Sequence, residues 1–401
     1  MPVMDMQASA VATPVAARIG GRSSTGELAN LDFLRSVAVG LVFVGHLIGT
    51  MRIRAAGDLG HFGVLLFFVH TALVLMMSME RLGLSSRSLY ATFLVRRIFR
   101  IYPLSILSVI VVVAFRIPST AWSGYQWAGW VGWPTFLSNI FLIQNLTQGS
   151  SVNCVLWSLP FEIQMYAILP LLFVLSLRLR SLRVMYAAWL MSAVIATSEY
   201  IARSGSCDLE FLVSRYFPCF LAGVVAWGLI KIESPRFSGL SWVFFLMALV
   251  VAYRLTDAVR VYGPGILGAL HGAVRSDHRI WWQAYMDLVS DWFFCAAVGL
   301  AIPMFLEVRS RWLKSISKLI ARYSYGIYVS HVPILWFCFT RVHLGSAAVS
   351  ALLAVLLTTA ISVFVYHWIE DPAIQVGKRL TTRVLHGRAF AVTVGTLEPA
   401  P

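Results

Sequence analysis

The chain alternates long apolar runs with short basic turns. Runs long enough to cross about 30 Å of hydrocarbon as helix lie at 33–50, 62–79, 101–115, 157–177, 184–201, 211–230, 240–254, 288–306, 319–340 and 347–369. Ten spans follow. An eleventh apolar segment, 134–145, has only twelve residues, which suits a re-entrant or interfacial helix better than a crossing. The first thirty or so residues are Ala, Ser, Thr and Gly without an apolar core, so they read as a flexible tail and not as a cleaved signal peptide.

Composition supports this reading. Of 401 residues 59% are hydrophobic and 12% charged, with a mean hydropathy of +0.76, whereas soluble domains carry about a quarter charged residues. A soluble globule, a disordered chain, a disulfide-stapled secreted domain and a coiled coil are all excluded. The predicted fold class is therefore an all-α polytopic membrane protein: residues 1–30 a flexible cytoplasmic tail, 31–375 the transmembrane domain, 376–401 a basic cytoplasmic tail.

Charge decides the orientation. Thirty-two Lys and Arg oppose eighteen Asp and Glu, a net charge of +14, which might suggest nucleic acid. The basic residues lie in the turns, however, and report topology instead. With ten spans and the N-terminus inside, twenty of the 32 fall in cytoplasmic segments and nine outside. If 134–145 crossed, the dense turns at 178–183 and 309–318 and the C-terminal tail would become external, against the positive-inside rule. Both termini are accordingly expected in the cytoplasm of the cell's inner (plasma) membrane.

Arg35, Arg215 and Arg322 remain, each inside or at the edge of a span, where ionisable groups are costly unless they snorkel or line a polar cavity. Arg215 and Arg322 lie within about a turn of a helix end and can snorkel. Glu162, about five residues into its span, needs a partner or a cavity. The longest outer connections, 116–156 and 255–287, carry Trp122, Trp127, Trp130, Trp133, Trp281 and Trp282, readable as an aromatic belt or as a sugar-stacking platform. Cys154 and Cys207 both fall outside and offer a disulfide, while Gly263–Gly268 matches a dinucleotide fingerprint without its βαβ setting and is discarded.

No serine-hydrolase elbow, zinc motif, CxxC pair or Walker A sequence is present, so metal catalysis is not expected. Histidine in apolar surroundings is the remaining candidate for acid–base chemistry. His46 follows Arg35 by eleven positions, a rise of about 16 Å, which puts Arg35 at the cytoplasmic edge and His46 past the bilayer centre. A lone His on an apolar helix also serves as a packing residue. Arg97 and Arg100, at i and i+3, share a helix face and could bind phosphate bidentately. They serve equally well as a topology-setting flank.

The order of the motifs is more specific than any one of them. Leu31-Asp32-Phe33-Leu34-Arg35 with ten residues to His46, Gly63-Val64-Leu65-Leu66-Phe67-Phe68-Val69, Arg97-x-x-Arg100-Ile101-Tyr102-Pro103, Trp157-Ser158 with Glu162, Gln164 and Tyr166, Tyr323-Ser324-Tyr325-Gly326-Ile327-Tyr328 with His331 and Pro333, and Ile369-Glu370-Asp371-Pro372 together resemble the acyltransferase-3 family of membrane O-acyltransferases across about 30–375. The resemblance implies transfer of a short acyl group, acetyl by default, from cytoplasmic acyl-CoA to a hydroxyl of a surface or exported glycan or lipid-linked sugar, or in some members a macrolide. It assigns His46 as the catalytic base, Arg35, Arg97 and Arg100 to the donor, and Trp157, Ser158, Glu162, Gln164 and Tyr166 to the family's W-S-L-x-x-E-x-Q-x-Y stretch. His331 matches the pattern and also reads as a hydrogen-bonded helix-end residue.

The chain departs from that pattern at Leu65, where the family has Asp, at His70, where it has Leu, at Thr71-Ala72 for Ser-Gly, at Pro160 for Ser and at Ile163 for the second Glu. His70 receives no catalytic role. Acyl-CoA is then the co-substrate and no bound cofactor is required; Glu162 is assigned to orient His46, and Tyr166, Tyr328, Ser324 or Gln164 to stabilise the oxyanion. A transporter or flippase for an anionic or glycan substrate is the competing class, since buried Arg and Glu also mark transport paths, and a catalytically silent envelope scaffold is a third.

Overall fold

The computed structural model describes residues 28–53, 59–83, 86–118, 131–179, 181–202, 212–271, 276–342 and 345–382, with backbone alone at 86, 257, 258, 260–271 and 276–284. In hydrocarbon no water can satisfy a backbone N–H or C=O, so an apolar chain pairs these groups internally as helix. The helices are α1 (Ala29–Thr50), α2 (Leu59–Leu82), α3 (Ser86–Ala114), α4 (Trp133–Ile140), α5 (Leu159–Leu179), α6 (Leu182–Ala202), α7 (Val213–Leu229), α8 (Gly239–His271), α9 (Ser276–Ala301), α10 (Arg311–Trp336) and α11 (Ala347–Val365). A 3-10 turn, Cys154–Ser158, leads into α5, and π-helical turns follow α10 and α11 at Phe337–Arg341 and Tyr366–Glu370. Among the described residues there is no strand, only an isolated bridge between Phe237 and Phe305.

Each of the ten predicted segments overlaps one of these helices. Eight (α1, α2, α3, α5, α6, α8, α9 and α11) are long and apolar enough to cross a bilayer, which makes this a multi-pass membrane protein. The apolar α7 has 17 residues, and α10 carries Arg311, Lys314, Lys318 and Arg322 in its first half. Helix α4 has eight residues, about 12 Å of rise, and cannot span. The chain beyond it turns back on buried amides. Asn139 Nδ2 donates to the Thr135 and Ser150 carbonyls while its Oδ1 accepts from Val152 N, and Gln144 Nε2 donates to Leu156 O at 3.0 Å.

Helix α2 is central. It packs between α1 and α7, while α1 also lies along α10. Small residues allow this closeness, as in other lipid-embedded bundles: a Cβ on Gly63 would come within 2.5 Å of Ala38 O, and one on Gly223 within 2.3 Å of Val69 O.

One end of the bundle gathers the basic connections. The start of α1 is tied to the α9–α10 connection through buried Asn30: its backbone N–H donates to Glu307 Oε2 at 2.8 Å, its Nδ2 to Leu306 O at 3.0 Å, and its Oδ1 accepts from Val308 N at 3.0 Å. A carboxylate at the positive end of a helix satisfies an otherwise orphaned donor. The α7–α8 connection reaches the same place through Arg236 N and Phe237 N to Met304 O. Lys231 pairs with Glu80 at the end of α2 at 2.8 Å, and Arg96 Nε donates to Thr381 Oγ1 beyond α11. The tails 1–27 and 383–401, Trp122, Trp127, Trp130 and Cys207 lie outside the described residues, as do the side chains of Trp281 and Trp282. Trp133 is exposed at the start of α4, and Cys154 is a free thiol.

Candidate active site

A cavity of about 700 Å³, its open mouth included, runs between α1, α2, α3, α5 and α10. Arg35 enters it from α1, Arg97 and Arg100 from α3, Glu162 and Tyr166 from α5, and Ser324 and Tyr328 from α10. Arg35 Nε donates to Ser324 Oγ at 2.6 Å, and the Tyr166 hydroxyl donates to the Glu162 carboxylate. The motifs at 35, 97–100, 157–166 and 323–328, far apart in sequence, thus meet around one space. Arg97 Nε is buried without a hydrogen-bond partner.

Arg100 lies 3.9 Å from Glu370 Oε1, a carboxylate 1% exposed on the π-helical turn after α11. Helices that carry an inserted residue of this kind often do so at functional sites. The last motif of the series therefore has a place in the site, neutralising part of the arginine charge. Three arginines against Glu162 and Glu370 still leave the cavity positive. Its mouth, continuous with it through Arg35, His70, Val74 and Arg100, adds Arg81, Lys318 and Arg322 against Asp32. Arg322, read from sequence as a snorkelling residue, thus lines an anion-attracting vestibule.

At the far end the cavity closes on Ser158 and Tyr328, whose hydroxyls lie 2.7 Å apart. Tyr328 spends its single proton on Val155 O at 2.6 Å, so Ser158 is the donor between them. His46 does not line this cavity. Its Nδ1 lies 2.8 Å from Val42 O. A carbonyl only accepts, so Nδ1 carries the proton and Nε2 keeps the lone pair a base requires. The imidazole stands edge-on to that of His331, with ring centroids 5.0 Å apart, and His331 in turn stands 6.3 Å from the Tyr328 ring. His331 has its Nδ1 3.0 Å from Ile327 O and its buried Nε2 without a hydrogen-bond partner.

Two sequence expectations change. The Glu162–His46 pair does not form, because Glu162 on the first turn of α5 faces α3 and takes its hydrogen bond from Tyr166, while His46 lies three turns of α1 beyond Arg35 and meets α10. Three of the four candidate oxyanion donors spend their single proton elsewhere, Tyr166 on Glu162, Tyr328 on Val155 O and Ser324 on Ala321 O, while Gln164 Nε2 donates one of its two N–H groups to Asn145 Oδ1 and keeps the other.

Residues passed over in the sequence also assemble. His61 Nε2, on the first turn of α2, lies 2.9 Å from Asp291 Oδ2, and Arg215 Nη2 lies 3.6 Å from the same oxygen. The His61 ring stacks on Trp157 with centroids 5.7 Å apart and planes 11° from parallel. Arg215, read from sequence as able to snorkel, thus has a 1%-exposed carboxylate on α9 as a near partner. The available signal was Asp291 itself, an acidic residue three positions into a predicted span. Among the described residues no three His, Cys, Asp or Glu side chains come together as a metal site.

A family model described as an acyltransferase domain, that of the acyltransferase-3 family, matches residues 28–367. The chain belongs to the acyltransferase-3 family. The match runs from the start of α1 into the π-helical turn after α11, and so contains every helix that lines the cavity. Comparisons with curated proteins and with solved structures gave no match. Family membership makes the chain a membrane-embedded acyltransferase, a class that takes an acyl donor and an acceptor.

Proposed function

We propose that this chain is an O-acyltransferase of the inner (plasma) membrane that moves a short acyl group, acetyl by default, from cytoplasmic acyl-CoA to a hydroxyl of a surface or exported glycan. The observation that carries the reading is the membrane cavity whose mouth and walls collect Arg35, Arg97 and Arg100 and whose far end stops at Tyr328, beyond which stand His331 and His46. CoA bears several phosphate charges, and guanidinium groups bind phosphate bidentately. Its slender thioester arm fits a passage between helices. The chain crosses ten times in this reading, α7 and α10 joining the eight longer apolar helices, with both termini cytoplasmic. Support comes from the connections tied together around Asn30, Met304, Glu80 and Thr381, which put the densest basic turns and the arginine-lined mouth at one end.

The chemistry follows from the need to activate a poor nucleophile. His46 Nε2 accepts the acceptor's hydroxyl proton as its oxygen attacks the thioester carbonyl. The C–O bond forms, the C–S bond breaks, and the departing CoA sulfur takes the proton back from the imidazolium. In this reading the donor comes to His46 from the cavity side only when the Tyr328 side chain, which closes that end, moves aside, and the acceptor comes from the opposite face. Glu162 acts on the donor side, compensating the arginines and fixing Tyr166.

The test is thiol release. Purified protein in lipid nanodiscs should liberate free CoA from acetyl-CoA when a hydroxyl-bearing envelope glycan is supplied, with a new ester on the glycan by mass spectrometry. Ester appearing only on small secreted metabolites would move the acceptor to that class. An absence of CoA release with every acceptor, alongside glycan movement across vesicles, would favour the transporter reading.

A further inference from the structure

His70 is a cavity side chain with an unanswered polar atom. It is 4% exposed, its Nδ1 is buried with no hydrogen-bond partner, and it lines both the cavity and its mouth. A buried polar group without a partner costs free energy and calls for an explanation. Packing supplies none, since a leucine would occupy the position without that cost.

The surroundings say what is missing. Along α2 the cavity wall is formed by Val64, Phe67, Phe68, Thr71, Val74 and Leu75, a stripe with helical spacing about 16 Å long. His70 interrupts this apolar stripe just inside the cationic mouth, at the junction it shares with Arg35 and Arg100. A neutral imidazole presents one donor and one acceptor. Its partner is therefore a group that offers both, uncharged and flanked by apolar surface. A secondary amide answers the Nδ1 in either tautomer, accepting through its C=O or donating through its N–H, whereas a phosphate answers only an N–H and has three arginines beside it.

The geometry points to His70 as a donor-recognition residue that hydrogen-bonds an amide of the pantetheine arm, directly inside the arginines that hold the phosphates. The inference rests on acyl-CoA being the donor, as proposed above. The arm's apolar links run along the α2 stripe, and its amides are the only groups in that stretch able to satisfy an imidazole. His70 positions the donor and takes no part in the bond changes.

Binding to the full-length protein in detergent micelles, measured by calorimetry, separates the possibilities. Two probes are used: CoA, and adenosine 3′,5′-bisphosphate, which keeps phosphates but lacks the arm. His70→Leu should weaken CoA binding roughly five- to tenfold, the worth of an ordinary hydrogen bond, and leave the bisphosphate unchanged. His70→Asn, which restores one donor and one acceptor, should bring CoA affinity back to within about twofold. In turnover assays His70→Leu should raise KM for acetyl-CoA by a similar factor with kcat nearly constant. Equal affinities in wild type and His70→Leu, or equal losses for both probes, would overturn the inference while leaving the acyl-CoA reading intact, as would a collapse of kcat at unchanged KM. Wild-type protein that binds neither probe would bring down the acyl-CoA reading itself.

Discussion

His46 and His331 face each other edge-on across the α1–α10 contact, ring centroids 5.0 Å apart, with Nδ1 of each within 3.0 Å of a carbonyl one turn earlier on its own helix. Both rings are thereby fixed in the same tautomer, Nδ1–H and Nε2 lone pair. His46→Gln should lower kcat for acyl transfer by at least about 100-fold, the usual worth of a general base, with donor affinity unchanged. His331→Gln, which alters the neighbour and keeps the base, should cost less. Thiol release at matched membrane levels measures both; retention of wild-type kcat in His46→Gln would remove it from the base role.

Arg97 and Arg100 share a face of α3, and Arg100 lies 3.9 Å from the Glu370 carboxylate. Replacing both with Ala should weaken acyl-CoA binding by about 100-fold or more, since each charged hydrogen bond contributes roughly 1.5–3 kcal/mol. Wild-type binding should also weaken as ionic strength rises, and that slope should flatten in the double variant. Calorimetric titration at two salt concentrations provides the check, and unchanged affinity would return the pair to a topological role.

Tyr328 bars the far end of the cavity by bonds to Ser158 and Val155 O. Tyr328→Phe keeps the ring and removes both bonds, depriving the buried Ser158 hydroxyl of its acceptor at a cost of about 1–3 kcal/mol. The variant should melt at lower temperature and alter kcat more than KM, because the change lies at the thioester end and not at the arginines. A rise in KM alone would place Tyr328 outside the reacting region.

Asn30 joins the start of α1 to the α9–α10 connection, and Asn30→Ala leaves the Val308 N–H and the Leu306 carbonyl without their side-chain partners. The expected loss is about 2–4 kcal/mol for two buried groups, visible as a lower melting temperature in detergent. Donor affinity per folded molecule should stay the same, which separates this structural role from those of the cavity arginines.

The proposed orientation makes its own demand. A cytoplasm-reporting fusion at either terminus should be active, and a single cysteine placed in the 178–183 turn should be shielded from a membrane-impermeant thiol reagent in intact cells. Labelling of that cysteine from outside would reverse the topology.

The sequence by itself determined the helices and picked out part of the cavity wall. Apolar length and basic turns are local properties, because lipid forces each segment to satisfy its own backbone, so every predicted apolar run overlaps a helix and 134–145 shortened to the eight residues of α4. The motif residues at 35, 97, 100, 158, 162, 166, 324 and 328 were legible for the same reason: charge and hydroxyl groups stand out in an apolar chain. Which of them touch was not legible. Partnership depends on helix rotation and depth, which close approaches at Gly63 and Gly223 set between helices distant in sequence. Only the tertiary structure turned Glu162 toward Tyr166 and away from His46, gave Arg215 the buried Asp291, put Glu370 beside Arg100, and brought His70 into the cavity wall with no side chain to answer it.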